Sequence, residues 1–278
     1  MFELLKKPSA KTKTYMIAEI GINHDGDLDK AKKLIESATF CGASAVKLQT
    51  YITEERVDRA SPIFDLLKKC ELSFDDQEKL FDFGRNLGVD VFSTPFDKES
   101  VQFLGSVDCP IIKIASFDST NNELIRQIKL LKRNVIMSTG MTSHQELAAT
   151  NKLFQEEIDQ KKFALMHCIS SYPTDPKMAN LRAITAIRGL FQGPVGYSDH
   201  TLGWKIPFYS IFAGAEIIEK HFTLNRDDDG PDHQMSADPV MFSKIVHQVQ
   251  IAEEIMGEQS ISISPSELNF LQFKRTKS

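Results

Sequence analysis

The sequence lacks several features that would define a secreted, membrane-spanning or nucleic-acid-binding protein. Its four cysteines are scattered without a Cys-x-x-Cys pair, which argues against a zinc ribbon or a disulfide scaffold and favours the reducing cytoplasm. No apolar run approaches the roughly 18 residues of a membrane span, and the N-terminal segment has no apolar centre of a secretory signal. The net charge of −5 argues against nucleic acid or an anionic membrane as the main partner. An anionic small molecule would therefore need a local basic pocket.

The chain also lacks a linker, a low-complexity tract and any shift in composition along its 278 residues. A chain of this length forms either one large domain or two small ones. We therefore predict a single domain over residues 1–278.

What the sequence does contain is a repeated pattern of short β-rich runs separated by helical segments. There are eight such runs: YMIAEIGI, SAVKLQTY, VDVFSTP, IIKIAS, NVIMST, FALMHC, PVGYSD and AEIIEKHF. Strands that alternate with helices predict a parallel sheet joined by crossovers, and their continuous apolar character predicts cover on both faces. A doubly wound sheet is the alternative, but no G-x-G-x-x-G follows the first run. Eight units in about 250 residues match a (β/α)8 TIM barrel.

The first helical segment has both the apolar period and the capping residues of a helix. In LDKAKKLIESATFCGA, apolar residues recur on one helical face. Asp27 or Asp29 is placed to cap the start of this helix, and Gly42 stands where a C-terminal glycine cap belongs.

Polar residues gather at the ends of the predicted strands, where a TIM barrel carries its functional side chains. Residues i and i+2 of a strand share a face, so Lys47 and Gln49 point the same way, as do Glu219 and His221. Such a concentration at one end of an apolar barrel predicts a polar ligand. The polar residues at these ends include Glu19, Lys47, Gln49, Thr94, Lys113, Ser116, Ser138, Ser170, Tyr172, Ser198, His200, Glu219 and His221.

The residue types indicate the chemistry. Two lysines on separate strands, together with serine and threonine hydroxyls, are suited to bind a phosphate group. His200 and His221 follow neighbouring strands and could meet as two ligands of an open divalent metal site. Glu19, a carboxylate in a buried strand without an adjacent Arg or Lys in the sequence, is a candidate acid or base.

Several motifs together closely resemble the sialic acid (N-acetylneuraminate) synthase family. They are IAEIGINHDGDLDKAKKLIESA, GASAVKLQTY, FSTPFD, KIAS, STGM, HCISSYPT, GYSDHTLG and EKHFTLNRDDDGPDH. The resemblance extends from about Tyr15 to Met256, so that 15–256 would form the barrel and 257–278 a C-terminal extension. It implies a TIM barrel that condenses phosphoenolpyruvate with an N-acylated mannosamine-type sugar, releasing phosphate by C–O cleavage and forming a nonulosonic acid. It also implies a homodimer.

The resemblance further implies roles for individual residues. His200 and His221 would bind Mn²⁺ or Mg²⁺, and Glu19 would be the catalytic carboxylate. Tyr172 and Asp232 would contact the sugar. The phosphoenolpyruvate ligands would be Lys47, Gln49, Thr94, Lys113, Ser116, Ser138 and Ser198.

Three features depart from the family pattern. Asp118, a second candidate catalytic residue, stands where many relatives have glutamate, and Ser170, a candidate sugar contact, stands where the N-acetylneuraminate enzymes often have asparagine. The small C-terminal antifreeze-like domain of many members has no counterpart in these 278 residues. These departures leave the acceptor sugar undetermined. The resemblance therefore also allows a legionaminic, pseudaminic or spore-coat polysaccharide type of member.

Two other functions remain open at the level of the sequence. One is a barrel aldolase that uses Lys113 or Lys47 as a Schiff base, which predicts trapping by borohydride and indifference to EDTA. The other is a barrel that binds a sugar or phosphoenolpyruvate without turning it over.

Overall fold

Eight parallel strands close into one barrel in the order of the sequence. The structure is a computed structural model that describes residues 12–257 and 260–275. The predicted (β/α)8 barrel is confirmed. The strands are β1 (Tyr15–Gly21), β2 (Ala45–Thr50), β3 (Asp90–Pro95), β4 (Ile111–Ile114), β5 (Asn134–Ser138), β6 (Phe163–His167), β7 (Val195–Asp199) and β8 (Ile217–His221).

Helices fill the connections between successive strands and follow the last one. In the described residues they are α1 (Leu28–Cys41), α2 (Thr53–Arg56), α3 (Phe64–Cys70), α4 (Phe74–Leu87), α5 (Lys98–Ser106), α6 (Asn122–Leu130), α7 (His144–Leu153), α8 (Gln155–Asp159), α9 (Arg182–Leu190), α10 (Lys205–Ser210) and α11 (Pro239–Met256). A 3-10 helix over Pro265–Phe273 lies in the C-terminal extension. Within the described ranges, no helix is both long and apolar enough to cross a membrane.

Local sequence signals set the ends of α1 as predicted. The Asp27 side chain accepts hydrogen bonds from the backbone N–H groups of Asp29 and Lys30, at 2.8 and 2.9 Å. Gly42 ends the helix with φ +100°, a left-handed conformation in which glycine avoids the strain of a Cβ. Asp27, not Asp29, is therefore the N-terminal cap.

The apolar core fills the barrel and the layer between strands and helices. Strand β1 is buried along its whole length, including both of its faces, which is why the strand sequences read as continuous apolar runs. The rings of Phe154 and Phe163 stack at 4.1 Å between centroids beneath α8. A smaller separate cluster joins Leu67 and Cys70 of α3 to Ile22 and Tyr51, which follow β1 and β2.

The register of the strands brings the polar residues to one level. Glu19 on β1 lies opposite Lys47 on β2 and opposite His221 on β8. Ser198 on β7 lies opposite Glu219 on β8. Parallel strands in a closed barrel therefore collect these side chains at a single mouth.

The intervening residues of β7 and β8 form a buried ion pair. Lys220 Nζ lies 2.7 Å from Asp199 Oδ2, and both side chains are almost completely inaccessible to solvent. The Lys220 ammonium group also donates to the carbonyl of Thr201, whose hydroxyl donates to Asp199 Oδ1 at 2.9 Å. The two strand ends are thereby tied together behind the residues that face the mouth.

Candidate active site

A cavity of about 450 Å³ opens at the carboxyl end of the strands. All but two of the predicted site residues line it. They are Glu19, Lys47, Gln49, Thr94, Lys113, Ser116, Ser138, Tyr172, Ser198, His200, His221 and Asp232. The two lysines and the two imidazoles therefore converge on one space, as the strand-end pattern predicted.

Asp118 and Ser170 lie outside the described lining of this cavity. Both lie next to residues of the lining: Asp118 interacts electrostatically with Arg56, and Ser170 Oγ lies beside Gly140, as does Ser116 Oγ. In the 3-10 turn over Ser116–Asp118, successive residues point in different directions, so Phe117 faces the cavity while Asp118 Oδ1 accepts a hydrogen bond from Asn121 at 2.9 Å. Ser170 Oγ is buried without a hydrogen-bond partner. It lies close to Gly140, where an added Cβ would come within 2.4 Å of that oxygen.

Two ammonium groups and two carboxylates form the floor of the cavity. Lys47 Nζ lies 2.8 Å from Glu19 Oε2 and 3.7 Å from Glu219 Oε2. Lys113 Nζ lies 3.3 Å from Glu219 Oε1. All four side chains are buried, so the charges are held by one another rather than by solvent, as buried charges must be.

The two carboxylates differ in their affinity for a proton. Burial raises the pKa of Glu19 to about 7, and the nearby Glu219 adds to this while Lys47 opposes it. Burial also resists ionisation of Glu219, but Lys113 and Lys47 outweigh it and hold the pKa of Glu219 below its usual range. When the pKa values of two neighbouring carboxylates are pushed apart in this way, one can act as an acid or base while the other stays an anion. Glu19 is the group that can exchange a proton near neutrality.

Hydroxyl groups complete the surroundings of the lysines. Lys113 Nζ donates to Ser138 Oγ at 2.8 Å, and Ser198 Oγ donates to Glu219 Oε1 at the same distance. Lys47 Nζ donates to Thr94 Oγ1 at 3.3 Å. Ser138 and Thr94 thus contact the two lysines, and Ser198 contacts the Glu219 carboxylate, so ammonium and hydroxyl groups together outline a place where an anion is stabilised.

The two histidines face each other across the mouth with ring centroids 5.7 Å apart. His200 Nδ1 lies 2.8 Å from the carbonyl of Ile169, so this nitrogen carries the proton and Nε2 is left as a ligand atom. His221 Nδ1 is buried without a hydrogen-bond partner, and Asp232 Oδ2 lies 3.7 Å from it. Burial lowers the pKa of both imidazoles, and neutral imidazole is the form that binds metals. The residues therefore fit a divalent ion, although no group of three His, Cys, Asp or Glu ligands occurs in the described part of the chain.

The sequence alone assigns no role to three parts of this site. Glu219 was visible as the strand neighbour of His221, but its contacts with both lysines required the barrel register. Arg56 lies on α2 and donates from Nη1 to Gln49 Oε1 at 3.1 Å. Apolar residues also line the outer wall, among them Ile63 and Leu66. These residues come from the segment of α2 and α3 between β2 and α4, and no sequence signal predicted that this segment lines the cavity.

Comparison with known proteins agrees with this geometry. Residues 34–261 match the NeuB family. The chain belongs to the NeuB family. It is 36% identical to an N,N'-diacetyllegionaminic acid synthase of Legionella pneumophila, over 94% of this chain and 79% of that protein. It is 31% identical to a pseudaminic acid synthase of Campylobacter jejuni, over 95% of this chain and 81% of that protein.

A solved structure supports the same assignment. The crystal structure of an N-acetylneuraminic acid (sialic acid) synthetase from Leptospira borgpetersenii, in complex with citrate, superposes with a TM-score of 0.90 at 34% identity. The match covers 94% of this chain and 90% of that one. The family predicted from the motifs is thus confirmed, and so is the prediction of a synthase-type enzyme, because NeuB-family relatives across nearly the whole length carry that activity in their names.

Proposed function

We propose that this NeuB-family chain condenses phosphoenolpyruvate with an N-acylated mannosamine-type sugar, giving a nonulosonic acid and inorganic phosphate. The observation that carries the proposal is the convergence of two ammonium groups and two carboxylates of different proton affinity in one cavity. The relatives named as legionaminic and pseudaminic acid synthases support the same reaction class.

Phosphoenolpyruvate, with its phosphate and carboxylate, suits the floor of the cavity. Lys47 and Lys113 supply positive charge, and Ser138 and Ser198 supply directional hydrogen bonds. Lys47, Lys113 and Ser198 contact the Glu219 carboxylate, which keeps both ammonium groups oriented before an anionic substrate arrives.

The reaction then requires carbon–carbon bond formation, addition of water and loss of phosphate. The enol carbon of phosphoenolpyruvate attacks the aldehyde carbon of the open-chain sugar, and protonated Glu19 gives its proton to the aldehyde oxygen. Water adds to C2, and Glu19, ionised at the start of this step, accepts the proton that the water loses. The C2–O bond to phosphate breaks as the new C2 hydroxyl gives its proton to the phosphate, which leaves a ketone at C2, and the lysines hold the departing hydrogen phosphate dianion.

His200 and His221 are the residues that would hold a divalent ion such as Mn²⁺ or Mg²⁺. His221 Nδ1, buried and unpartnered, is the atom that most needs such a partner. When bound, the ion would supply Lewis-acid activation of the sugar carbonyl. Tyr172, whose ring centroid lies 4.3 Å from that of His200, and Asp232 border the same space and are suited to orient the sugar.

A Schiff-base aldolase is the second candidate, and one observation favours it. Burial lowers the pKa of Lys113, which is how nucleophilic lysines are activated. The contacts of Lys113 with Ser138 and Glu219 favour a charged ammonium group instead.

The deciding experiment measures phosphate release from phosphoenolpyruvate in the presence of Mn²⁺, with and without an N-acylated mannosamine-type acceptor. We expect release that depends on the acceptor and stops when EDTA is added. Activity that resists EDTA, combined with borohydride trapping of the substrate on Lys113, would identify the aldolase. Binding of phosphoenolpyruvate without phosphate release from any acceptor would identify a binding protein.

A further inference from the structure

The outer wall of the cavity is apolar, in contrast to its floor. Ile63, Leu66 and Leu67 line it from the region of α3, and Phe117 lines it from the loop after β4. Phe117 is 66% exposed and Ile63 is 46% exposed, so these large side chains face the opening rather than the protein core. Leu67 belongs to the small cluster with Ile22 and Tyr51, which fixes the wall to the barrel. Exposed apolar side chains beside a polar cavity indicate contact with a ligand.

Arg56 is the cationic side chain of this wall. Its guanidinium carbon lies 3.7 Å from the centre of the Phe96 ring and 4.6 Å from that of Tyr51. Nη1 donates to Gln49 Oε1, and within the described ranges Arg56 has no ion-pair partner. A guanidinium group has five N–H donors in a fixed plane. The two rings, which meet edge to face with centroids 6.4 Å apart, hold the guanidinium group in place and leave donors free toward the cavity.

The position of Arg56 assigns it to the far end of the acceptor. Glu19, Gln49 and Arg56 form a chain of hydrogen bonds that leads from the floor to the wall, with Gln49 Nε2 lying 3.3 Å from Glu19 Oε1. The aldehyde of the sugar must approach the floor, where its carbon reacts with phosphoenolpyruvate. The carbons of the sugar that lie farthest from the aldehyde therefore reach Arg56 and the apolar wall.

The surroundings determine which group suits this place. Asp118 and Asp232 act on Arg56 through their charge, so a phosphate group would meet two carboxylates together with one cation. A neutral carbonyl with an apolar substituent meets no such repulsion. It accepts a hydrogen bond from Arg56 while its methyl group packs against Ile63 and Leu66.

We propose that Arg56, Ile63, Leu66 and Phe117 form a subsite that selects acceptors with an acylamido group and a terminal methyl group at the end distant from the aldehyde. The matching substrate class is a 2,4-diacetamido-2,4,6-trideoxyhexose rather than a fully hydroxylated or phosphorylated N-acetylmannosamine. This inference rests on the proposed function, because it requires the sugar to occupy the cavity with its aldehyde inward.

The test compares three acceptors with wild-type protein and three variants. The acceptors are 2,4-diacetamido-2,4,6-trideoxymannose, N-acetylmannosamine and N-acetylmannosamine 6-phosphate, and phosphate release from phosphoenolpyruvate with Mn²⁺ is the readout. The variants are Arg56→Met, Arg56→Lys and, as a matched control, Lys68→Met. Lys68 lies on α3 with its side chain exposed and paired to Glu54 and Glu71, away from the cavity. Thermal unfolding curves establish that each variant is folded.

Wild-type protein should prefer the diacetamido sugar. Arg56→Met should lower kcat/KM for that sugar by about 10- to 150-fold, the range for a hydrogen bond to a charged group. The loss should appear in the KM for the sugar, with the KM for phosphoenolpyruvate unchanged and N-acetylmannosamine little affected. Arg56→Lys should show a smaller loss, because lysine keeps the charge without the planar fork, and Lys68→Met should behave as wild type.

Other outcomes separate the subsite from the function. Phosphate release that Arg56→Met lowers equally for all acceptors, or leaves unchanged, would overturn the subsite and leave the synthase function standing. A wild-type preference for the 6-phosphate that disappears in Arg56→Met would overturn it as well, in favour of a phosphate site. Absence of phosphate release with every acceptor would overturn the proposed function and the subsite together.

Discussion

The carboxylate of Glu19 lies 2.8 Å from the ammonium group of Lys47 on the neighbouring strand, yet its pKa is raised to about 7. Burial of the carboxylate therefore outweighs the pairing. A salt bridge at this distance usually lowers the pKa of an acid. At the barrel mouth, the rise in pKa caused by burial is larger than the fall caused by Lys47. The site holds an acid that is easily ionised and easily reprotonated at neutral pH.

This relationship predicts how stability depends on pH. Glu19 has a folded-state pKa above its ordinary value of 4.5, so the unfolded chain releases the proton more readily than the folded chain. The folded state should therefore lose stability as the pH rises from about 5 to about 8, by up to about 3 kcal/mol. In Glu19→Gln this loss should be absent, and the difference in Tm between the variant and wild type should shift in favour of the variant as the pH rises.

The control for this prediction is Glu123→Gln, which changes an exposed glutamate of α6. Its Tm should follow that of wild type across the same pH range. Parallel Tm curves for Glu19→Gln and wild type would contradict the raised pKa of Glu19.

The histidine pair predicts metal-dependent turnover. His221→Ala should abolish Mn²⁺-dependent phosphate release and weaken Mn²⁺ binding measured by calorimetry, while the Tm of the metal-free protein changes little. His144→Ala, which alters an exposed residue at the start of α7, should bind Mn²⁺ as wild type does. Normal activity in His221→Ala would refute the assignment of His221 as a ligand.

The contact between Lys113 and Ser138 predicts a role in binding phosphoenolpyruvate. Ser138→Ala removes a hydroxyl group 2.8 Å from the ammonium group, and the KM for phosphoenolpyruvate should rise about tenfold, the size of one hydrogen bond to a charged group. The KM for the sugar should stay the same. Ser106→Ala at the exposed end of α5 should change neither constant, and an unchanged KM for phosphoenolpyruvate in Ser138→Ala would place the anion elsewhere.

Two helical glycines predict opposite effects of the same substitution. A Cβ at Gly84 of α4 would lie 2.1 Å from Val91 Cγ2, so Gly84→Ala should lower the free energy of unfolding by about 1–3 kcal/mol. A Cβ at Gly189 of α9 would meet open space. Gly189→Ala should therefore raise the free energy of unfolding by about 0.5 kcal/mol, because alanine restricts the unfolded chain. Urea unfolding measures both, and a loss of stability in Gly189→Ala would contradict this reading of α9.

The sequence predicted the barrel and most of its mouth because both depend on local regularities. A strand that is buried on both faces must be apolar throughout, so a polar residue near its end stands out, as Lys113 and His221 do. The two-residue period of a strand then indicates which of these residues share a face. Such signals do not depend on the tertiary structure.

The remaining features depend on contacts between distant segments. Glu19 has no basic neighbour in the sequence, and its partner Lys47 becomes adjacent only through the register of β1 and β2. Arg56 lies in a short helix with no apolar period of its own, and its place over Phe96 follows from how α2 and α3 cross the mouth. Asp118 follows a strand end as a site residue would, but its hydrogen bond from Asn121 and its electrostatic interaction with Arg56 follow only from the three-dimensional arrangement.

The ion pair between Asp199 and Lys220 has a consequence for how this enzyme can change. Each of its members is flanked in the chain by residues of the cavity, Ser198 and His200 on one side and Glu219 and His221 on the other. The buried ion pair therefore links β7 and β8 between the residues that carry the two imidazoles. Replacing either Asp199 or Lys220 would leave the other charge buried and unpaired, and so would displace the two strand ends that carry the imidazoles without changing either histidine.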